Sequence, residues 1–181
     1  MGRRVGRMLM ENKHFYKHVC LVCMPDLENI LEIAVKAEID AAQNYRKAAK
    51  QTAIYLLKEK FGFLENEERG HQQLLETLFK KKFPEREITL PEEGEMPFPP
   101  FTVTDDMQLS EILKRAMEAE KMAAAFYKEM EEHLSGEEER AMARYLSSME
   151  ESHYYLLKSE LEIAYNFELY DEVHAMMHVG P

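Results

Sequence analysis

Glu68-Arg69-Gly70-His71 and Glu150-Glu151-Ser152-His153 decide how this chain folds. Each lies in a run that otherwise reads as the buried seam of a helix, with apolar residues at alternating steps of three and four. The first run is Leu57, Phe61, Leu64, Glu68, His71, Leu75, Leu78, and the second is Ala143, Leu146, Glu150, His153, Leu157, Leu161, Ala164. A glutamate and a histidine thus stand where a bundle needs apolar side chains. Two more stripes carry a single glutamate in the same way: Leu31, Ala34, Glu38, Ala41, Tyr45, Ala48, and Leu113, Ala116, Glu120, Ala123, Tyr127, Met130, Leu134.

Working outward, proline sets the limits of these helices, because an interior proline breaks the backbone hydrogen-bond ladder. Pro25 precedes the first stripe, Pro181 ends the chain, and the other five lie between Pro84 and Pro100. The apolar stripe loses register near Ala49 to Thr52, and Ser135-Gly136 before the acidic Glu137 to Glu139 marks a helix stop and a new start. The spacing predicts helices over 26–50, 53–82, 105–134 and 137–165, with Thr52 capping the second and a long crossover over 84–103. The expected fold is all-α: one four-helix bundle over 25–165, a basic tail over 1–24 and a C-terminal tail over 166–181.

The halves repeat. Shifted by 82 positions, Ala37, Glu38, Ala41 and Tyr45 fall on Ala119, Glu120, Ala123 and Tyr127, while Glu68, His71 and Leu75 fall on Glu150, His153 and Leu157. The chain reads as two copies of one helical hairpin.

Composition narrows the function. At 181 residues there is room for one good core, and a net charge of -11 argues against a nucleic-acid surface. No run approaches the roughly 20 apolar residues of a membrane span, so a soluble, cytoplasmic protein is expected, without nucleic-acid or membrane partners. Two cysteines suit a reducing compartment. Cys20-x-x-Cys23 with His14 and His18 offers zinc-ligand types, but the single residue between His18 and Cys20 leaves little room for a tetrahedral loop. His174 and His178 read as a solvated terminal pair. Gly62 and Gly70 cost helix stability, and Gly70 beside His71 is expected to allow close helix approach or ligand access.

Four buried carboxylates on facing helices repel one another and each costs several kcal/mol without a partner. Lys and Arg are missing from all four stripes, so protons or metal ions must supply the compensating charge. Histidine three residues after glutamate on one helix face favours metal, since neutral imidazole donates a nitrogen lone pair and glutamate a hard oxygen. A lone Glu-x-x-His is a weak signal, and Glu11-x-x-His14 is such a case. Two of them, each following a stripe glutamate by 30 positions, match a known bundle pattern: one Glu from each of two helices and Glu-x-x-His from the other two.

In these motifs the sequence resembles the rubrerythrin-type members of the ferritin-like di-iron carboxylate family. The resemblance spans about 26–165 and rests on Ala37-Glu38, Glu67-Glu68-Arg69-Gly70-His71, Ala119-Glu120 and Glu150-Glu151-Ser152-His153. It implies a ferritin-like bundle holding two metal ions, iron first, with manganese or zinc as other occupants. Glu68 and Glu150 would bridge them, Glu38 and Glu120 would be terminal ligands, and His71 and His153 would bind one ion each. Tyr45 and Tyr127 resemble the family's tyrosines that hydrogen-bond these carboxylates, although a core aromatic would look the same. The implied activity is reduction of peroxide or dioxygen, with those six ligands as the catalytic residues, in a homo-oligomer for which a dimer is expected. Ala123 replaces an additional family glutamate, which puts the ligand exchange linked to it in doubt. Cys20 and Cys23 are half the cysteines of a rubredoxin iron, so an external electron donor is expected. A ferroxidase or an iron storage and transfer protein would use the same ligands, whereas a helical interaction protein would hold no metal.

Overall fold

The computed structural model describes residues 26–92, 96 and 101–177, of which 171, 172 and 175–177 are described by backbone alone. Cys20, Cys23, His14, His18, His178 and the prolines at 97, 99 and 100 lie outside them. The described residues form four helices: α1 Leu27–Gln51, α2 Tyr55–Lys82, α3 Leu109–His133 and α4 Glu137–Met177.

Local chemistry sets most of their ends. Asp26 caps α1 by accepting from the backbone N–H of Asn29 at 3.0 Å, and Glu28 and Lys50 complement the helix dipole at either end. Thr52 does not cap α2 as expected. Its hydroxyl accepts from the N–H of Ile54 at 3.2 Å, a two-residue turn, and α2 begins at Tyr55 without a side-chain cap. Lys80, Lys81 and Lys82 close α2, and Glu137 to Glu139 open α4. α3 starts later than the expected 105 because Thr104 to Met107 make a turn, with Thr104 donating its hydroxyl to Asp106 at 2.7 Å.

α1 pairs with α2 and α3 with α4 as antiparallel hairpins. The hairpins then meet α1 against α3, where Glu38 and Tyr45 reach Tyr127 and Glu120, and α2 against α4, where Glu68 and His71 reach His153 and Glu150. In both cases the earlier residue of one helix meets the later residue of the other, so these neighbours are antiparallel too. The architecture is therefore the expected ferritin-like bundle, with one long loop between α2 and α3.

Two apolar clusters occupy its ends. One gathers Leu31, Val35, Leu75, Phe79, Phe126 and Met130, and the other Leu57, Phe61, Leu64, Ile112, Leu113 and Leu157. Each fully buried side chain of this kind contributes about 1.5–3 kcal/mol. Between the clusters lies a layer that contains glutamates and histidines.

The crossover is bonded to α1. It runs along α1 from start to end: Arg86 pairs with Glu28 at 2.6 Å, the N–H of Thr89 donates to Glu32 at 2.7 Å, the N–H of Val103 donates to Asn44 at 3.3 Å, and Gln51 donates to the Thr104 carbonyl at 2.9 Å. Phe101 and Val103 are buried against the second cluster. Gly70 does not serve close helix packing, since a Cβ there would meet nothing within 4 Å, and the same holds for Gly62.

The expected C-terminal tail from 166 is instead a continuation of α4 to Met177. No proline or glycine interrupts 137–177, and the added turns have a partner: Glu168 accepts from the N–H of Ser110 at 2.8 Å, capping an α3 start whose own N-cap residue, Gln108, makes no side-chain cap. Lys114 of α3 lies over the Tyr165 ring, 5.1 Å from its centroid. His174 stacks on Tyr170. Glu168→Ala is expected to cost about 1 kcal/mol, the scale of a lost N-cap, and to lower the melting temperature by about 2–4 °C. An unchanged melting curve would show that the cap contributes nothing.

Candidate metal centre

Each of the six ionisable side chains is brought inward by its own stripe. Glu38 comes from α1, Glu68 and His71 from α2, Glu120 from α3, Glu150 and His153 from α4. All are as buried as the leucines around them, with 1–4% of their surface exposed.

They fall into two overlapping groups. Glu38, Glu68, His71 and Glu150 form one, Glu68, Glu120, Glu150 and His153 the other, and within each group one donor atom per residue lies within 4.8 Å of all the others. Glu68 and Glu150 belong to both, and their oxygens are divided between the histidines. His71 Nδ1 is 3.0 Å from Glu150 Oε1 and 3.3 Å from Glu68 Oε2, while His153 Nδ1 is 3.1 Å from Glu150 Oε2 and 3.2 Å from Glu68 Oε1. Glu38 Oε2 completes the first group at 3.6 Å from His71, and Glu120 Oε2 the second at 3.7 Å from His153. The two imidazoles stack with centroids 5.5 Å apart.

The donor set fits two metal ions. Ligands about 2.0–2.2 Å from one ion, at octahedral to tetrahedral angles, lie roughly 2.8–3.6 Å from each other, close to the 3.0–3.7 Å between each imidazole Nδ1 and its carboxylate oxygens here. Hydrogen bonding within the layer is also incomplete. Glu68 Oε1, Glu150 Oε1, both ring nitrogens of His71 and Nε2 of His153 are buried without an aligned hydrogen-bond partner. An orphaned buried polar atom costs about 1–3 kcal/mol, and a cation among the carboxylate oxygens and the Nδ1 atoms removes the part of that cost that those atoms carry.

Electrostatics point the same way. Burial and the charge of Glu68 push Glu38 up to about 8, against the lowering effect of His71. Burial and the charges of Glu68 and Glu150 likewise hold Glu120 well above the carboxylate range. Burial and Glu38 would raise Glu150, but the polar contacts with His153, His71 and Glu120 keep it below its ordinary value. Burial alone would lower His71 and His153, yet the carboxylates clustered on each raise both far above the normal imidazole range. Without metal, the layer therefore holds its charges together with protons.

Tyr45 and Tyr127 are buried beside these carboxylates. The Tyr45 hydroxyl donates to Glu120 Oε1 and the Tyr127 hydroxyl to Glu38 Oε1. Each tyrosine serves the glutamate of the other hairpin, and the two bonds exchange under the 82-residue repeat. Burial, then the neighbouring glutamate charge, raises both phenols well above their usual range and keeps them as donors.

Sequence reasoning missed the pocket that leads to this layer. It lies between α1 and α3, where Ala37, Ala41, Ala119 and Ala123 leave space, and Met96 and Phe101 of the crossover line it. The repeat had already matched those alanines in pairs, which was the available signal. Nothing in the spacing of the crossover could mark Phe101.

Comparison with known proteins agrees with this geometry. The sequence pattern of the rubrerythrin family matches residues 29–161. A solved structure, a hypothetical protein from Pyrococcus furiosus, is similar at 37% identity over 78% of this chain and 92% of that one, with a TM-score of 0.70. No curated protein matches the chain.

Proton storage in the metal-free layer gives stability a sign with pH. Between 4.5 and about 8 the folded chain keeps a proton on Glu38 that the unfolded chain has lost. Unfolding releases it, so stability falls as pH rises through that window, and the raised histidines add the same sign above 6.5. Chelator-treated protein is expected to unfold at lower urea concentration at pH 8 than at pH 6. Added divalent metal should displace protons and restore stability most at the higher pH. Metal that neither releases protons nor raises the urea midpoint would count against the site.

Proposed function

Because this chain belongs to the rubrerythrin family, we propose that it is a non-haem di-iron oxidoreductase that reduces hydrogen peroxide or dioxygen with electrons from an external donor. What carries the reading is the division of the Glu68 and Glu150 oxygens between two histidines, which suits a pair of bridged ions better than one ion or none. Glu38 with His71 and Glu120 with His153 would complete the two coordination sets. Iron suits both the mixed oxygen and nitrogen donors and a two-electron reaction, whereas zinc has no redox chemistry.

Two bound ferrous ions would supply one electron each, so that the O–O bond of hydrogen peroxide breaks and two protons are taken up to leave two waters. The side chains do the rest. Tyr45 and Tyr127 fix one oxygen of each terminal glutamate, which orients the other toward the histidine of the same group. The apolar clusters above and below keep bulk water from the layer, which strengthens every charge interaction within it. An external donor would have to return two electrons for each peroxide reduced. Following the family resemblance, we take the working unit to be a homodimer.

Stopped-flow mixing of the reduced, iron-loaded chain with hydrogen peroxide is expected to oxidise the centre, with steady turnover once a small reductant is supplied. Glu68→Ala and Glu150→Ala, which remove the shared ligands, should lower that turnover by about 100-fold or more, alongside lost metal. Absence of turnover with every small reductant tried, in protein carrying its iron, would remove the peroxidase reading.

A further inference from the structure

The pocket over the glutamate layer has a volume of about 50 Å³, room for a few water-sized molecules. Its walls are Ala37 and Ala41 of α1 and Ala119 and Ala123 of α3, and the four glutamates form its inner end. Glu68 Oε1 and Glu150 Oε1, buried and without an aligned partner, belong to side chains that line it. The histidines do not line it. A ligand entering here meets carboxylate oxygens first, on the side of the layer away from the imidazoles.

The four helices are nearly two-fold symmetric, but this pocket is not. Tyr45 lines it, and Phe101 packs on Tyr45 with ring centroids 5.5 Å apart. Tyr127, the repeat partner of Tyr45, is packed in the other apolar cluster and does not line the pocket. The crossover, which has no counterpart in the second hairpin, makes the difference.

We infer that the oxidant reaches the centre through this alanine-walled pocket, that the pocket admits hydrogen peroxide or dioxygen but not alkyl hydroperoxides, and that Tyr45 rather than Tyr127 stands beside the entering molecule. The inference rests on reading the centre as an oxidant-reducing dimetal site. The four alanines line the route together with Asp40, Met96 and Met122, so one larger side chain at an alanine position narrows it without removing a ligand. Hydrogen peroxide and dioxygen, each with two non-hydrogen atoms, suit this space, whereas a branched alkyl hydroperoxide is larger than the few waters it would hold.

Azide, a linear three-atom anion, is the probe of the route, titrated by absorbance into ferric protein of verified iron content. Ala123→Leu and the milder Ala41→Val are expected to weaken azide binding by about 10-fold or more, the scale of steric discrimination in a small pocket, with iron content and melting temperature held. The wild-type chain should reduce hydrogen peroxide and spare tert-butyl hydroperoxide. Tyr45→Phe should change azide affinity severalfold more than Tyr127→Phe. Azide affinity unchanged in both alanine variants, equal effects of the two tyrosine substitutions, or tert-butyl hydroperoxide reduced as fast as hydrogen peroxide would overturn the inference. The azide titration stands apart from turnover. Azide binding blocked by the alanine variants in a protein that reduces no peroxide would uphold the route and reject only the proposed activity.

Discussion

Four carboxylates and two imidazoles share one buried layer in the middle of the bundle, and the rest of the structure is arranged around the cost of keeping them there. Placing four glutamates among leucines opposes folding unless positive charge enters the layer. No lysine or arginine side chain lies on the four stripes that face it. Protons meet the need in part, which is why Glu38 and Glu120 are raised and why both histidines retain theirs. Protons nevertheless leave Glu68 Oε1, Glu150 Oε1 and the outer histidine nitrogens without aligned partners. Metal ions held in this layer would bind the oxygens and the inner nitrogens directly. The apolar clusters at the two ends supply the folding free energy that lets the layer persist, and they also define its dielectric environment.

Duplication explains the form of the site. One hairpin brings Glu, then Glu-x-x-His, and two antiparallel copies close a layer in which every group has a partner related by two-fold symmetry. The tyrosines illustrate how tightly the copies depend on each other, since each hydroxyl is bonded to the glutamate of the opposite hairpin. Neither hairpin holds a complete coordination set alone, because each group takes one shared glutamate from α2 and the other from α4. The crossover then removes the equivalence by covering one flank of α1, so a site built with symmetry is approached from one side.

Much of this was legible in the sequence because helices make it so. Stripe spacing and proline placement gave four helices and their order, and glutamates and histidines out of place in those stripes gave the layer that the structure assembles. What stayed hidden depended on tertiary contacts. The Tyr45 and Tyr127 bonds need α1 against α3, which periodicity does not specify, so a core aromatic was an equal reading. The extension of α4 beyond 165 was read as a tail, the apolar stripe having been followed only to Ala164, yet Glu168 finds the N-terminus of α3. Thr52 was expected as a cap, and its hydroxyl instead closes a short turn. Phe101 sits in a segment without period, where packing is visible only once the crossover is seen to lie along α1.

The central claim, a paired metal centre with shared carboxylates, is tested most directly by counting metal. Elemental analysis of protein reconstituted with ferrous iron and freed of loose ion should give two iron atoms per chain, and Mössbauer spectra of the oxidised form should show the two as a magnetically coupled pair. One iron per chain, none, or two that are magnetically independent would contradict it.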